Sequence, residues 1–318
     1  MKFPIRHVSF ACALLGALPA AFAANPPTQE TIGAEGAARS IQRSWAFAAD
    51  GTIEIGNVRG SVTVTGGNQD TVDLSGSLGA DSRLSIEGDA RRLELHVESK
   101  GGKGWFGTQG PDSDTTLVLS VPHAVSVKLD LVSANGKLSG IDGKSLDVDA
   151  VSGKLDLNSA ARRIEANSVS GSVTLDVPKP GVVEQAHLQT VSGDIRATGA
   201  DGRVKLETVS GAIGFAAPTV AEFNAECVSG SIDATAAPAK GARLHAETLS
   251  GTVRLRLPEN LSAHIKAETF SGSIGSDYGK VEKAEFGPGS SLDARVGEGD
   301  ARIEAQSFSG NVEIRKHD

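Results

Sequence analysis

Four glutamates in one recurring phrase are the first residues in this 318-residue chain that could act together. Glu207, Glu226, Glu247 and Glu268 each stand two residues before the apolar member of an apolar-Ser-Gly triplet. Earlier copies of the phrase carry Asp149, Asn167 and Gln189 at the same place, and a later one carries Gln306. If the copies stack as strands, these side chains form one outward row with a spacing of about 4.8 Å. Carboxylates that close repel one another and raise each other's pKa. Two residues earlier in each copy stand His187, Lys205, Asn224, His245 and Lys266, which would offset part of the charge. Such a row suits a cation or a basic partner. Calcium takes several oxygen ligands, but no loop has dedicated calcium spacing, so no metal or cofactor is expected.

Other chemistry is thin. Asp147, Asp149, Asp156 and Glu165 fall on neighbouring outward positions, and glycoside hydrolysis needs two carboxylates at a set separation. Sugar clefts also use aromatic platforms, and aromatics make up only 4% of this chain. There is no G-x-S-x-G, H-E-x-x-H, C-x-x-C or phosphate-binding G-x-x-x-x-G-K-[ST]. The expectation is a protein without catalytic residues, with a polysaccharide lyase or hydrolase as the alternative. A formal net charge of −8 argues against nucleic acid as a partner. Trp105 and Phe106 lie within the Gly-rich stretch 99–114, which reads as a long loop. They fold back onto the body or present an aromatic contact to a partner. With the glutamate row they are the candidate partner-binding residues.

The elements that position these residues follow from the repeat. Glycines 153, 171, 193, 211, 230, 251, 272 and 310 close the triplets, at spacings of 18, 22, 18, 19, 21, 21 and 38. The last gap reads as two periods with one drifted unit. A period near 20 with many Val, Ile, Leu and Thr residues indicates stacked coils. Apolar residues alternate before each triplet (Leu244, Ala246, Thr248) and after it (Val253, Leu255, Leu257). Period two means strands with one buried face. The phase slips between Thr248 and Leu249, and equivalently in each unit, as at a bulge or corner. Prolines 178, 218, 238 and 258 mark a looser turn that absorbs the variable spacing. The inward position before the corner holds Ala150, Ser168, Thr190, Thr208, Cys227, Thr248, Thr269 and Ser307. Cys227 therefore reads as a small buried residue rather than a reactive thiol. The repeated serine reads as structural, since a nucleophile is not needed eight times.

Residues 1–23 have the form of an export signal: Lys2 and Arg6, a short apolar run, and Ala-Phe-Ala before Ala24. The apolar run is too short for a membrane span, and no later segment spans one. Residues 24–44 read as a polar leader, either without fixed structure or part of a cap. Residues 45–127 read as a less regular N-terminal β region or cap, and 128–318 as the repeat body.

The Val-Ser-Gly units, "LPENLSAHIKAETFSGSI" at 257–274 and the ending "VGEGDARIEAQSFSGNVEI" resemble the bacterial DUF4097 family. The resemblance covers roughly residues 45–316. It implies an all-β fold, a right-handed parallel β-helix-like solenoid with coils of about 20 residues. It also implies an adhesin-like role, with no site residues carried over. The expected function is an exported, non-enzymatic binding or scaffold protein of the envelope, in the periplasm or at the cell surface. Its partner would be an envelope protein or a surface glycan. An accessory role in envelope stress signalling is a further alternative.

Overall fold

The computed structural model describes residue 26 and residues 28–34, 36–99, 114–283 and 288–317. Every regular element among these residues is a β-strand. The 1–23 segment and the Trp105–Phe106 loop lie outside the described residues.

A middle unit shows how the sequence builds a coil. Strand Arg163–Ser170 leads to the corner at Gly171, and strand Val173–Asp176 follows. The first strand pairs in parallel with Ser145–Ser152 on one side and Gln185–Ser192 on the other. The second pairs in parallel with Leu155–Ser159 and Ile195–Thr198. Repetition of these pairings yields two ladders joined along the line of corners. Ile164, Ala166, Val173 and Leu175 point inward and are fully buried. Each large aliphatic side chain contributes about 1.5–3 kcal/mol, and only when neighbouring coils cover it. The stacked rings of Phe215 and Phe223 fill the same interior.

The corner is fixed by backbone contact. A Cβ on Gly171 would sit 1.9 Å from the carbonyl oxygen of Gly153, and one on Gly230 would sit 1.9 Å from that of Gly211. The same collision recurs from Gly193 onto Gly171, Gly211 onto Gly193 and Gly251 onto Gly230. Gly171, Gly211, Gly230 and Gly251 also have φ between 148° and 153°, which side chains disfavour. At most corners from Gly193 onward an inward hydroxyl braces the bend. Thr208 Oγ1 donates to the Gly193 carbonyl at 3.2 Å, Thr248 to Gly230 at 3.3 Å and Thr269 to Gly310 at 2.9 Å. Cys227 is buried in this row, with Sγ 3.5 Å from the Gly211 oxygen. Burial pushes its thiol up, against the bonds from Thr248 and the Ser229 backbone.

The order of coils in space departs from the order in the chain at both ends. The expected drifted unit between Gly272 and Gly310 is not a drifted coil. Strand Ala301–Ser309 pairs in parallel with both Ile232–Ser250 and Ala263–Ser271, so it lies between them. The chain skips one position, lays down Ala263–Ser271 and returns to fill the gap. On its way back Ser290–Val296 covers the outer coil antiparallel, and Val281–Lys283 adds a further antiparallel strand. The beginning mirrors this. Thr52–Gly67 lies between the coil of Arg92–Ser99 and Thr115–Pro122 and the coil of Ser126–Ile141. Antiparallel strands Ser82–Gly88 and Thr71–Leu78 cover the outer coil, and Gln29–Gly33 and Arg39–Ala46 cover those in turn. Open parallel edges are thereby hidden.

Two sequence expectations need correction. The turn with its proline is not a loop in every unit. Ile213–Ser229 and Ile232–Ser250 run as strands through Pro218 and Pro238, with register shifts absorbing the extra residues. The phase slip also comes later than expected. Alternation continues through Leu249, which points outward at 53% exposure. The slip falls within Ser250-Gly251-Thr252, because the glycine, not the apolar residue, makes the bend.

The filling coil is held from beyond its own strands. The Tyr278 hydroxyl donates to the Leu257 and Pro258 carbonyls at 3.0 and 2.9 Å, and burial raises its pKa to about 12. Asp277 accepts from the Lys316 backbone and from Arg315 at 3.0 and 3.1 Å. Two outcomes follow. Gly230→Ala should destabilise by at least about 3 kcal/mol, because the contact is backbone on backbone. Gly241 sits in the left-handed region at φ 75° with nothing within 4 Å, so Gly241→Ala should cost only the strain of about 1–2 kcal/mol. Urea denaturation of both variants checks the difference. A chain ending at Gly297 should self-associate through the two uncovered edges. A peptide of residues 298–318 added in trans should restore the monomer in sedimentation velocity.

Candidate functional site

The corner glycine also determines what stands beside it. Because alternation runs on to the residue before Ser-Gly, the apolar member of each triplet faces solvent. With Val58 and Val132 at the equivalent place in two earlier coils, the spatial order is Val58, Val132, Val151, Val169, Val191, Val209, Val228, Leu249, Phe308 and Phe270, from 36% to 61% exposed. Ten coils place them in one stripe roughly 43 Å long at the ordinary strand spacing. Phe308 and Phe270 stack with ring centroids 4.9 Å apart at its end. Sequence reasoning missed this stripe. The signal was present: Asp147, Asp149 and Val151 share one parity.

Beside the stripe runs the acidic row. Paired positions give the order Asp130, Asp149, Asn167, Gln189, Glu207, Glu226, Glu247, Gln306 and Glu268. Three glutamates are consecutive, not four. Gln306 separates Glu247 from Glu268, because the last coil fills the gap between them. Between row and stripe the surface is hollow. One depression of about 540 Å³ is lined by Asp130, Asp149, Asn167, Gln189 and the valines at 132, 151, 169 and 191. A second of about 300 Å³ continues it past Glu207, Glu226 and Glu247 to Leu249. The first is mainly apolar with a few polar groups, as binding sites typically are, and the second is mixed.

The row is partly compensated. His187 Nε2 lies 2.7 Å and Lys205 Nζ 2.9 Å from Glu207. Burial pushes Glu207 up, but these two bonds outweigh it and hold the carboxyl below its ordinary 4.5. Lys128 pairs with Asp130 at 3.1 Å, and Asn167 donates to Asp149 at 3.0 Å. Glu226 receives only the Asn224 amide, at 2.9 Å, and His245 lies 3.4 Å from Glu247. Among the described residues no lysine or arginine pairs with either.

Of the carboxylates proposed for sugar chemistry, Asp147, Asp149 and Glu165 lie together on neighbouring strands of one ladder and Asp156 does not join them. Asp147 and Glu165 are strand partners, and burial first, then Glu165, pushes Asp147 up against the Ser145 bond. Asp156 is on the other ladder, past the corner, where it pairs with Lys154 at 2.9 Å. Among the described residues no group of His, Cys, Asp and Glu is arranged to hold a metal, and no helix is long and apolar enough to cross a membrane.

Stacked parallel coils, antiparallel covers and an open groove along the corners define an all-β repeat protein. A family model described as Toastrack DUF4097 matches residues 51–315, and the chain belongs to that family. None of the functionally curated proteins matches it. The chain is similar to solved structures that cover most of both chains. One, provisionally described as an adhesin, is from Bacteroides fragilis NCTC 9343: 13% identity, 89% of this chain, 100% of that one, TM-score 0.41. Another, provisionally described as lipid binding, is from Parabacteroides distasonis ATCC 8503: 10% identity, 89% and 98% coverage, TM-score 0.45. A third, provisionally described as a cell adhesion protein from Clostridium sporogenes ATCC 15579, has 10% identity, 92% and 100% coverage and a TM-score of 0.22.

Glu207 gives the site a pH signature. Its folded pKa is lowered, so its contribution is present above pH 4.5 and is lost as pH falls through the lowered value. Glu207→Gln should cost under about 1 kcal/mol near neutrality, since the pairs are partly solvated. The gap between variant and parent in urea midpoint should narrow steadily below pH 4.5.

Proposed function

We propose that this protein is an exported, adhesin-like binding and scaffold protein of the bacterial envelope, without catalytic activity. Its body would be a right-handed parallel solenoid with coils of about 20 residues. The observation that carries the reading is the apolar stripe. Scattered exposed apolar residues are ordinary, but a contiguous line rimmed by polar groups marks an interaction surface. Ten exposed apolar side chains in one file beside a charged row meet that description. The residue types support binding over chemistry, since the groove offers carboxylates, amides and valines but no nucleophile paired with a base. The leader-like residues 1–23 support export.

A polysaccharide-active enzyme is the second reading, and the raised carboxyl of Asp147 beside Glu165 is what favours it. Two experiments separate the readings. The triple variant Val151→Thr, Val169→Thr, Val191→Thr keeps side-chain shape and strand preference while removing apolar surface. Its melting temperature should stay within about 3 °C of the parent, because all three sites are half exposed. Its retention on immobilised envelope fractions should fall at least about tenfold. Incubating the parent with a polysaccharide panel should yield no new reducing ends. Product that disappears with Asp147→Asn would establish the enzyme instead.

A further inference from the structure

We infer that the groove takes a basic amphipathic helix of a partner polypeptide, its apolar face on the valine stripe and its cations on the acidic row. The inference rests on the binding reading above and names the partner's chemistry.

Charge complementarity selects the sign. Neither Glu226 nor Glu247 pairs with a lysine or arginine among the described residues; Glu226 faces the Asn224 amide, Glu247 faces His245 at 3.4 Å, and Asp149 accepts from the Asn167 amide. A second copy of the chain is disfavoured as occupant, since it brings another acidic row and the same net charge of −8. An anionic membrane surface is disfavoured for the same reason. The groove floor adds an independent observation. Ser168 is buried and lines the larger depression, and its hydroxyl has no partner. Its counterparts Thr190, Thr208 and Thr248 donate to the preceding corner carbonyl.

Spacing selects the helix. Coils repeat about every 4.8 Å, and an extended peptide presents one face about every 6.8 Å. A helix presents its face about every 5.4 Å, a closer match. From Asp130 to Leu249 the two depressions span seven coils. That is roughly 29 Å, the length of about 19 helical residues. Apolar residues at i, i+3, i+4 and i+7 would meet the valines, and flanking lysines would reach the carboxylates.

The test uses the mature chain and a fluorescein-labelled 19-residue helical peptide of leucine and lysine in that pattern. A matched peptide has glutamate in place of lysine. Fluorescence anisotropy should give a Kd in the micromolar range for the lysine peptide, weakening steeply with salt. The Val151→Thr, Val169→Thr, Val191→Thr variant should bind it at least tenfold more weakly. Glu226→Gln with Glu247→Gln should bind it several-fold more weakly. Equal binding of both peptides would overturn the inference, as would binding that ignores the valine variant. So would retention on neutral phosphatidylcholine vesicles in place of peptide, or a valine-dependent dimer without peptide binding. If the peptide fails while the valine variant still loses envelope retention, the inference falls and the binding function stands. If neither binding depends on the valines, both fall.

Discussion

The structure depends on how closely successive corners approach. Each corner glycine lies so near the carbonyl of the preceding corner that a single methyl group would overlap it at 1.9–2.1 Å. This contact fixes the register of both ladders at once, because each corner joins a strand of one to a strand of the other. At most corners an inward Thr or Ser hydroxyl, or the Cys227 thiol, completes the joint by donating to the same carbonyl line. With register fixed, alternation decides the rest. Aliphatic side chains go to the interior, and the acidic row and apolar stripe go out. The repetition of Ser-Gly is thus a packing requirement.

The two ends solve a problem that stacking creates. A strictly sequential stack would finish on a bare parallel edge, a template for pairing with other chains. At the C-terminal end the chain lays down the outer coil first, covers it with antiparallel strands and fills the space inside it with a later segment; at the N-terminal end the inner coil Thr52–Gly67 comes before the outer coil that lies beyond it. The last coil, with Phe308, is flanked on both sides by strands formed before it. This arrangement ties the end of the chain into the interior of the stack and raises the sequence separation of its contacts, which slows folding in return.

Much of the fold was legible in the residues, since period two and the recurring triplet specify strands, corners and inward columns directly. Cys227 fell in its buried column on that basis alone. The coil order was not legible. A gap of 38 between Gly272 and Gly310 fits a drifted unit as well as a skipped one, because glycine spacing carries no information on which coil a strand joins. That choice depends on the antiparallel cover of Ser290–Val296, whose pairing has no period. The acidic row was legible as a row but not in its order, for the same reason. The stripe was hidden by an assumption, that the most regular apolar position must be buried. Parity with Asp149 assigns Val151 to the outside.

That position is the one where structural and functional demands can be separated. Valine suits a strand at any depth, and stacked valines gain some cross-strand contact even in water. Strand preference therefore accounts for part of the stripe. It does not account for Leu249, which is more than half exposed and has neither a branched Cβ nor an aromatic ring. Threonine would serve a solvated strand position equally well, and the chain uses threonine or serine freely one residue earlier, where the side chain is buried. Small polar residues are thus inside at the corner and large apolar ones outside, the reverse of what burial favours. The hydroxyls are explained by the carbonyl line they brace. The apolar side chains brace no backbone line and touch chiefly their neighbours in the same file, as Phe308 and Phe270 do.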